Sequence, residues 1–235
     1  MRVPSTDGVT LELHDLGGDG PTLLLAHATG FCAGAYLPFA ARLAERFHVW
    51  ALDFRAHGDS SGPDGDLSWQ GMIADVLAVV DVIGGGPVLG YGHSMGGACL
   101  AGAERARPGT VERAVLFEPI IFPAALEQAG EHPLAASARR RRPGFPNRLE
   151  ALARYAGRPP LGVFRADALH AYVEHGFADR PDGTVVLKCT PEDEAATFEA
   201  PGKPRTEEMV DVGVPMLVAR GARDPGPRDL APAVA

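Results

Sequence analysis

Between residues 9 and 119 two hydrophobic periods take turns, and their order restricts the fold more than any single motif does. VTLELHDL (9–16) alternates apolar and polar residues as a strand with one wet face does, and GGDGP (17–21) is turn chemistry. TLLLAH (22–27) is a continuous apolar run, as expected of a strand buried on both faces. AYLPFAARLAERF (35–47) has helical spacing, and HVWALDF (48–54) is again a buried strand. From Leu67 to Ile83 the spacing predicts a helix, capped by Ser68, with Met72, Ile73, Val76, Val79, Val80 and Ile83 on its apolar stripe. GGGP ends it, PVLGYG begins a fourth run of strand character, a small-residue helix follows, and VERAVLFEP (111–119) is another strand. Strands and helices in this order imply an α/β fold: a mostly parallel sheet with helices on both faces. Such sheets carry their chemistry at the carboxyl ends of the strands. HATGF (27–31), DFRAHGDS (53–60) and GHSMGG (92–97) fall there.

The pattern changes at Pro119. Up to Glu208 prolines are frequent and the predicted helices short (146–155, 165–177, 191–198), with TVVLK (184–188) as an isolated strand. This reads as a mostly helical cap inserted into the sheet domain, giving core at 1–118, cap at 119–208 and core resumed at 209–235. VPMLVARG (214–221) is the resumed strand. The cap's apolar residues, among them Phe145, Leu161, Phe164, Tyr172 and Phe177, are expected to form its own core and could roof an apolar pocket. The run ARRRR (138–142) reads as a solvated face.

A chain of 235 residues is long enough for one domain with a large core. Its net charge of −8 argues against nucleic-acid binding, whose footprint is basic. Cys32, Cys99 and Cys189 are widely spaced and lack a CxxC pair, which points to a reduced compartment rather than a disulfide or zinc framework. No apolar leader segment and no run of about 20 apolar residues occurs, so a soluble, cytoplasmic protein without membrane partners is expected. No metal cluster is apparent and no cofactor is implied.

GYGHSMGG (90–97) sets Ser94 between glycines, after a strand and before a helix. A serine on such a turn stands exposed above the sheet, and the helix that follows turns unpaired N–H groups toward it, where they can stabilise an oxyanion. The glycines answer the crowding of the backbone there. The bland alternative is a glycine-rich turn that only packs a helix on a strand.

With these residues in view the chain resembles the α/β-hydrolase superfamily, in particular the capped bacterial serine hydrolases related to esterases and non-haem haloperoxidases. HATGF, DFRAHGDS, GYGHSMGG, LFEP (116–119), the insertion and LVARGARDP (217–225) all occur in family order. The resemblance implies Ser94 as nucleophile, with the backbone N–H groups of Met95 and Thr29 as oxyanion donors. Asp224 matches the usual acid, and Glu118 matches the place where some relatives carry theirs. His27 and His57 match structural positions, His57 alongside Asp53 and Arg55. His93 would line the pocket. The implied substrate is a small carboxylic ester, lactone or similar acyl compound; serine at 94 argues against the dehalogenase and epoxide-hydrolase branches, which carry aspartate.

One member of the expected triad has no match. The family's histidine follows a further strand beyond the acid, yet the eight histidines stand at 14, 27, 48, 57, 93, 132, 170 and 175. The expectation is therefore a front part of a longer hydrolase, lacking the last strand, the terminal helix and the base. The alternatives are a pseudoenzyme that binds a hydrophobic ligand without turnover, and a substitute base on the cap, His170 or His175. A third, bland possibility is a chain that does not fold stably alone.

Overall fold

A computed structural model describes residues 1–65, 67–126 and 132–222 of the chain. The strands β1 (Arg2–Pro4), β2 (Thr10–Asp15) and β3 (Thr22–Ala26) lead into helix α1 (Leu37–Leu43) and strand β4 (His48–Asp53). Helix α2 (Trp69–Val82), strand β5 (Val88–His93), helix α3 (Met95–Ala106) and strand β6 (Val111–Phe117) follow. The next segment carries α4 (Pro133–Arg139), β7 (Gly144–Phe145), α5 (Arg148–Ala156), α6 (Ala166–Gly176), β8 (Phe177–Asp179), β9 (Val185–Leu187) and α7 (Pro191–Glu199). Strand β10 (Met216–Ala219) returns to the main sheet.

The main sheet has the order β1-β2-β4-β3-β5-β6-β10. Pairs from β4 through β3, β5 and β6 to β10 are parallel, while β1 and β2 run antiparallel at one side. The continuous apolar runs become the middle strands because both faces there are covered. On one face α2 and α3 bury Met72, Val76, Val79, Val80, Ala98 and Leu100 against Leu11, Leu13, Leu24 and Leu52. On the other, Ala40 of α1 packs with Leu23, Leu25, Val49 and Ala51. Ser68 caps α2 as predicted, its hydroxyl accepting from the Gly71 N–H at 3.1 Å. Beneath this helix the Arg55 guanidinium meets the buried Asp75 carboxylate at 2.9 and 2.8 Å, so DFRAHGDS is braced rather than free.

Two expectations change. TVVLK is not isolated: β9 pairs antiparallel with both β7 and β8, so residues 119–208, expected to form the cap, contain a three-stranded sheet among their helices. Two- and three-residue strands show no period of their own, which is why only the longest was visible in sequence. The arginine run is a solvated face only in part: Arg139, Arg140 and Arg142 are exposed, but Arg141 is not. Arg139 spans Glu192 and Glu199 of α7, and Arg141 is mostly buried with Glu194 of the same helix, so the run fastens α4 to α7. Of the cap's apolar residues, Phe145, Leu161, Tyr172 and Phe177 form a core of their own, which Cys32 and Ala35 of the sheet domain join.

Candidate active site

Ser94 lies between β5 and α3 with φ +54° and ψ −113°, a conformation that costs a non-glycine residue about 1–3 kcal/mol. Close packing enforces the turn. A Cβ on Gly92 would come within 2.5 Å of the Gly97 backbone, and one on Gly96 within 2.1 Å of the Ala26 carbonyl oxygen. The Ser94 N–H donates to the Phe117 carbonyl at 2.8 Å, and the Ile120 N–H donates to the Ser94 carbonyl at 3.3 Å, fixing the turn to the end of β6. Among the described residues no side chain hydrogen-bonds the half-buried Ser94 hydroxyl.

The loop after β3 is a hydrogen-bonded turn. The Phe31 N–H donates to the Ala28 carbonyl at 3.1 Å, and Gly30, third in the turn, has φ +75°, as a type II turn requires. His27 fixes the entry. Its Nε2 accepts from the Phe54 N–H at 3.0 Å, so Nδ1 holds the ring proton and donates to the Ala28 carbonyl at 2.8 Å. Burial first, and the nearby His57 second, push the His27 pKa down to about 3, keeping the ring neutral. The Ala28 carbonyl thus receives two donors on the side of its peptide away from the Thr29 N–H. The Thr29 and Met95 N–H groups have no acceptor among the described residues; Met95 opens α3, where first-turn N–H groups lack helical partners. The two loops are joined directly: the Gly96 N–H donates to the His27 carbonyl at 3.1 Å, and the Thr29 hydroxyl contacts the Met95 sulfur at 3.5 Å.

Glu118 ends β6 with φ +48°. Its N–H donates to the Ala219 carbonyl at 2.7 Å, and its Oε1 accepts from the Gly221 N–H at 2.9 Å, leaving Oε2 for a further donor. Asp224 lies outside the described residues.

The histidines nearest these loops are occupied. The Tyr36 hydroxyl accepts from the Ala28 N–H at 3.1 Å and donates to Nδ1 of His93 at 2.8 Å; the ring stands among Phe31, Tyr36 and Phe117, and burial lowers its pKa. His57 is fully buried and donates from Nδ1 to the Arg55 carbonyl at 2.9 Å. His170 is exposed on α6, and His175 lies so close to Gly34 that a Cβ there would sit 2.4 Å from it. His175 instead lines a cavity of about 220 Å³ with His14, Cys32, Gly34, Asp53 and Asp59; Ser94 is not part of its wall. There burial pushes the Asp53 carboxyl up, but His14 at 3.1 Å and the Asp59 N–H at 2.9 Å outweigh it and hold the pKa below the usual carboxylate range.

Sequence reasoning missed Tyr36, whose hydroxyl joins the Ala28 loop to His93, and Arg141. Tyr36 sits in a helical apolar pattern that gives no hint of a polar task. For Arg141 the signal was the acidic PEDEAATFE (191–199), a partner run for the arginines, although only the fold shows the two adjacent.

The chain is 30% identical over 103 residues to an (E)-2-((N-methylformamido)methylene)succinate hydrolase from Acinetobacter baylyi, which is 44% of this chain and 39% of the relative. It is 39% identical over 95 residues to protein phosphatase methylesterase 1 of Rattus norvegicus, which is 38% of this chain and 25% of the relative. Each match therefore covers less than half of the relative's own length. The crystal structure of E-2-(acetamidomethylene)succinate hydrolase superposes with a TM-score of 0.70 at 20% identity, over 94% of this chain and 90% of that one, and shows the shared fold. The sequence profile of the alpha/beta hydrolase family matches residues 23–234, and on that match, nearly the whole length, the chain belongs to the alpha/beta hydrolase family.

Proposed function

We propose that the protein is a serine hydrolase that cleaves a small carboxylic ester or related acyl compound through an acyl-enzyme on Ser94. The observation that carries this reading is the strained Ser94 turn, with the Thr29 and Met95 N–H groups, unpaired among the described residues, on two loops bonded to each other. In this mechanism the Ser94 hydroxyl oxygen attacks the acyl carbon, and its proton passes to a histidine. The tetrahedral oxyanion takes hydrogen bonds from Thr29 and Met95, donors set in place before the charge forms. The leaving group departs with the proton, and water then releases the acid and restores the serine. Asp224 is the first candidate for the acid that orients the histidine, and Glu118, with one oxygen uncommitted, the second. None of the eight histidines of this sequence stands in the slot that the family resemblance implies for the base, so a histidine outside these 235 residues is part of the proposal. The substrate is a small molecule, and three buried free thiols suit a cytoplasmic setting. No helix among the described residues is long and apolar enough to cross a membrane.

A fluorophosphonate tests the nucleophile. The expected result is covalent labelling of the full-length protein that disappears in Ser94→Ala; a well-folded full-length protein that takes no label overturns the reading. That no side chain among the described residues hydrogen-bonds the Ser94 hydroxyl favours one alternative, a non-catalytic protein of the same fold that holds a hydrophobic ligand. It predicts thermal stabilisation by such a ligand with no turnover.

A further inference from the structure

We propose that Tyr172, on cap helix α6, is a positioning residue for the oxyanion loop, through which Arg141 acts on the Thr29 N–H. The proposal rests on the serine hydrolase reading above and adds a role for the cap in it.

The connection is a chain of hydrogen bonds through two peptide units. Arg141 Nη2 donates to the Tyr172 hydroxyl at 2.5 Å, and that hydroxyl donates to the Gly30 carbonyl at 3.2 Å. The Gly30 carbonyl and the Phe31 N–H belong to one peptide. That N–H donates to the Ala28 carbonyl at 3.1 Å, which belongs in turn to the peptide carrying the Thr29 N–H. Each donor that loads a peptide oxygen makes the N–H of the same peptide a better donor. Tyr172 therefore holds the orientation of the Gly30–Phe31 peptide and, through it, strengthens the grip on Ala28. The guanidinium supplies positive charge at the far end of the chain.

The anchoring is specific. Tyr172 is only 2% exposed and packs edge-on to Phe31, ring centroids 5.0 Å apart. Arg141 is held by Glu194 through Nη1 and by the Tyr155 hydroxyl at 3.2 Å from Nη2. The Glu194 carboxylate lies directly over Gly30, since a Cβ on that glycine would come within 2.6 Å of Oε1. The turn residue is thus gripped at its carbonyl and covered at its Cα by two groups of the cap. His27 secures the same turn from the sheet side. The oxyanion loop is consequently complete only while the cap is seated.

Tyr172→Phe removes the hydroxyl and keeps the ring. Arg141 variants serve less well, because they leave Glu194 buried without its partner. The test compares wild type, Tyr172→Phe and Tyr155→Phe in the full-length protein, by fluorophosphonate labelling of Ser94 and by amide hydrogen exchange over residues 28–31. Tyr155→Phe also removes a hydroxyl bonded to Arg141, but one that does not touch Gly30. The expected result is a labelling rate constant about tenfold lower in Tyr172→Phe, with reagent affinity within about twofold, faster exchange of the Phe31 amide, and near-wild-type values for Tyr155→Phe. Equal rate constants in wild type and Tyr172→Phe overturn the proposal. If wild type takes no label, the serine hydrolase reading fails, and with it the catalytic purpose. Exchange then judges the brace alone: faster Phe31 exchange in Tyr172→Phe supports it, and unchanged exchange overturns it.

Discussion

At the scale of single residues, the glycines near Ser94 make demands opposite to those of Gly176. Gly96→Ala drives a methyl group into the Ala26 carbonyl, backbone against backbone, and neither can yield cheaply. A loss of at least about 2 kcal/mol is expected, read as a lower urea midpoint. At Gly176, the last residue of α6, nothing stands within 4 Å of a new Cβ and φ is not positive, so Gly176→Ala is expected to be neutral or stabilising by about 0.5 kcal/mol. A midpoint that falls equally in both variants would contradict the close-packing argument. His27 sets a pH dependence of definite sign. Its native pKa of about 3 lies below the ordinary 6.5, so the unfolded chain binds a proton that the native state refuses. The stability contributed by the neutral ring is whole above about pH 6.5 and drains away as pH falls toward about 3. His57 and His93, also lowered by burial, act in the same sense; His14, raised by its bond to Asp53, acts in the opposite one. His27→Asn is expected to be less stable at about pH 7 and to lose less between about pH 7 and pH 5 than wild type does. Parallel curves in that interval would show that His27 does not carry the dependence.

At the scale of elements, Ser68→Ala removes the hydroxyl that receives the Gly71 N–H at the start of α2, with an expected cost of about 1 kcal/mol in chemical denaturation. No measurable loss would mean that water satisfies the helix end as well as the serine does. That cap was legible in the sequence, as were β2 to β6 and the helices between them, because each has a period long enough to read. Leu24, Leu25, Val49 and Leu52 could hardly be placed otherwise than between two helical layers. The strands β1, β7 and β8 were not legible: two or three residues cannot display a period, and β7 pairs with a strand some forty residues further on. For the site, GYGHSMGG and HATGF pointed to residues that the fold does bring to two bonded loops. The same sequence gave no sign that Tyr172 would reach Gly30, 142 residues away, since only the folded cap brings the two together.

At the scale of the whole molecule, residues 119–208 and the main sheet share contacts that make separate melting unfavourable. Cys32 and Ala35 of the sheet domain are buried in the cap's apolar core, Lys188 bonds Asp59 at 2.8 Å, and the Trp69 indole N–H donates to the Thr197 carbonyl at 3.0 Å. Calorimetry is therefore expected to show one transition, with calorimetric and van't Hoff enthalpies in agreement. Two resolved transitions would mean that the cap opens or melts by itself.

The bond from the Gly96 N–H to the His27 carbonyl bears on how such a protein can diversify. Because the serine turn and the loop after β3 are stitched together, a mutation that shifts one drags the other, and both tend to be kept or lost as a unit. Residues 119–208 pack broadly on the first of these loops, with Phe31, Cys32, Ala35 and Tyr36 in or against their apolar core and Tyr172 bonded to Gly30. Change in that segment is thus freest on the surface turned away from Gly30 and Phe31, while the two stitched loops are carried along unchanged.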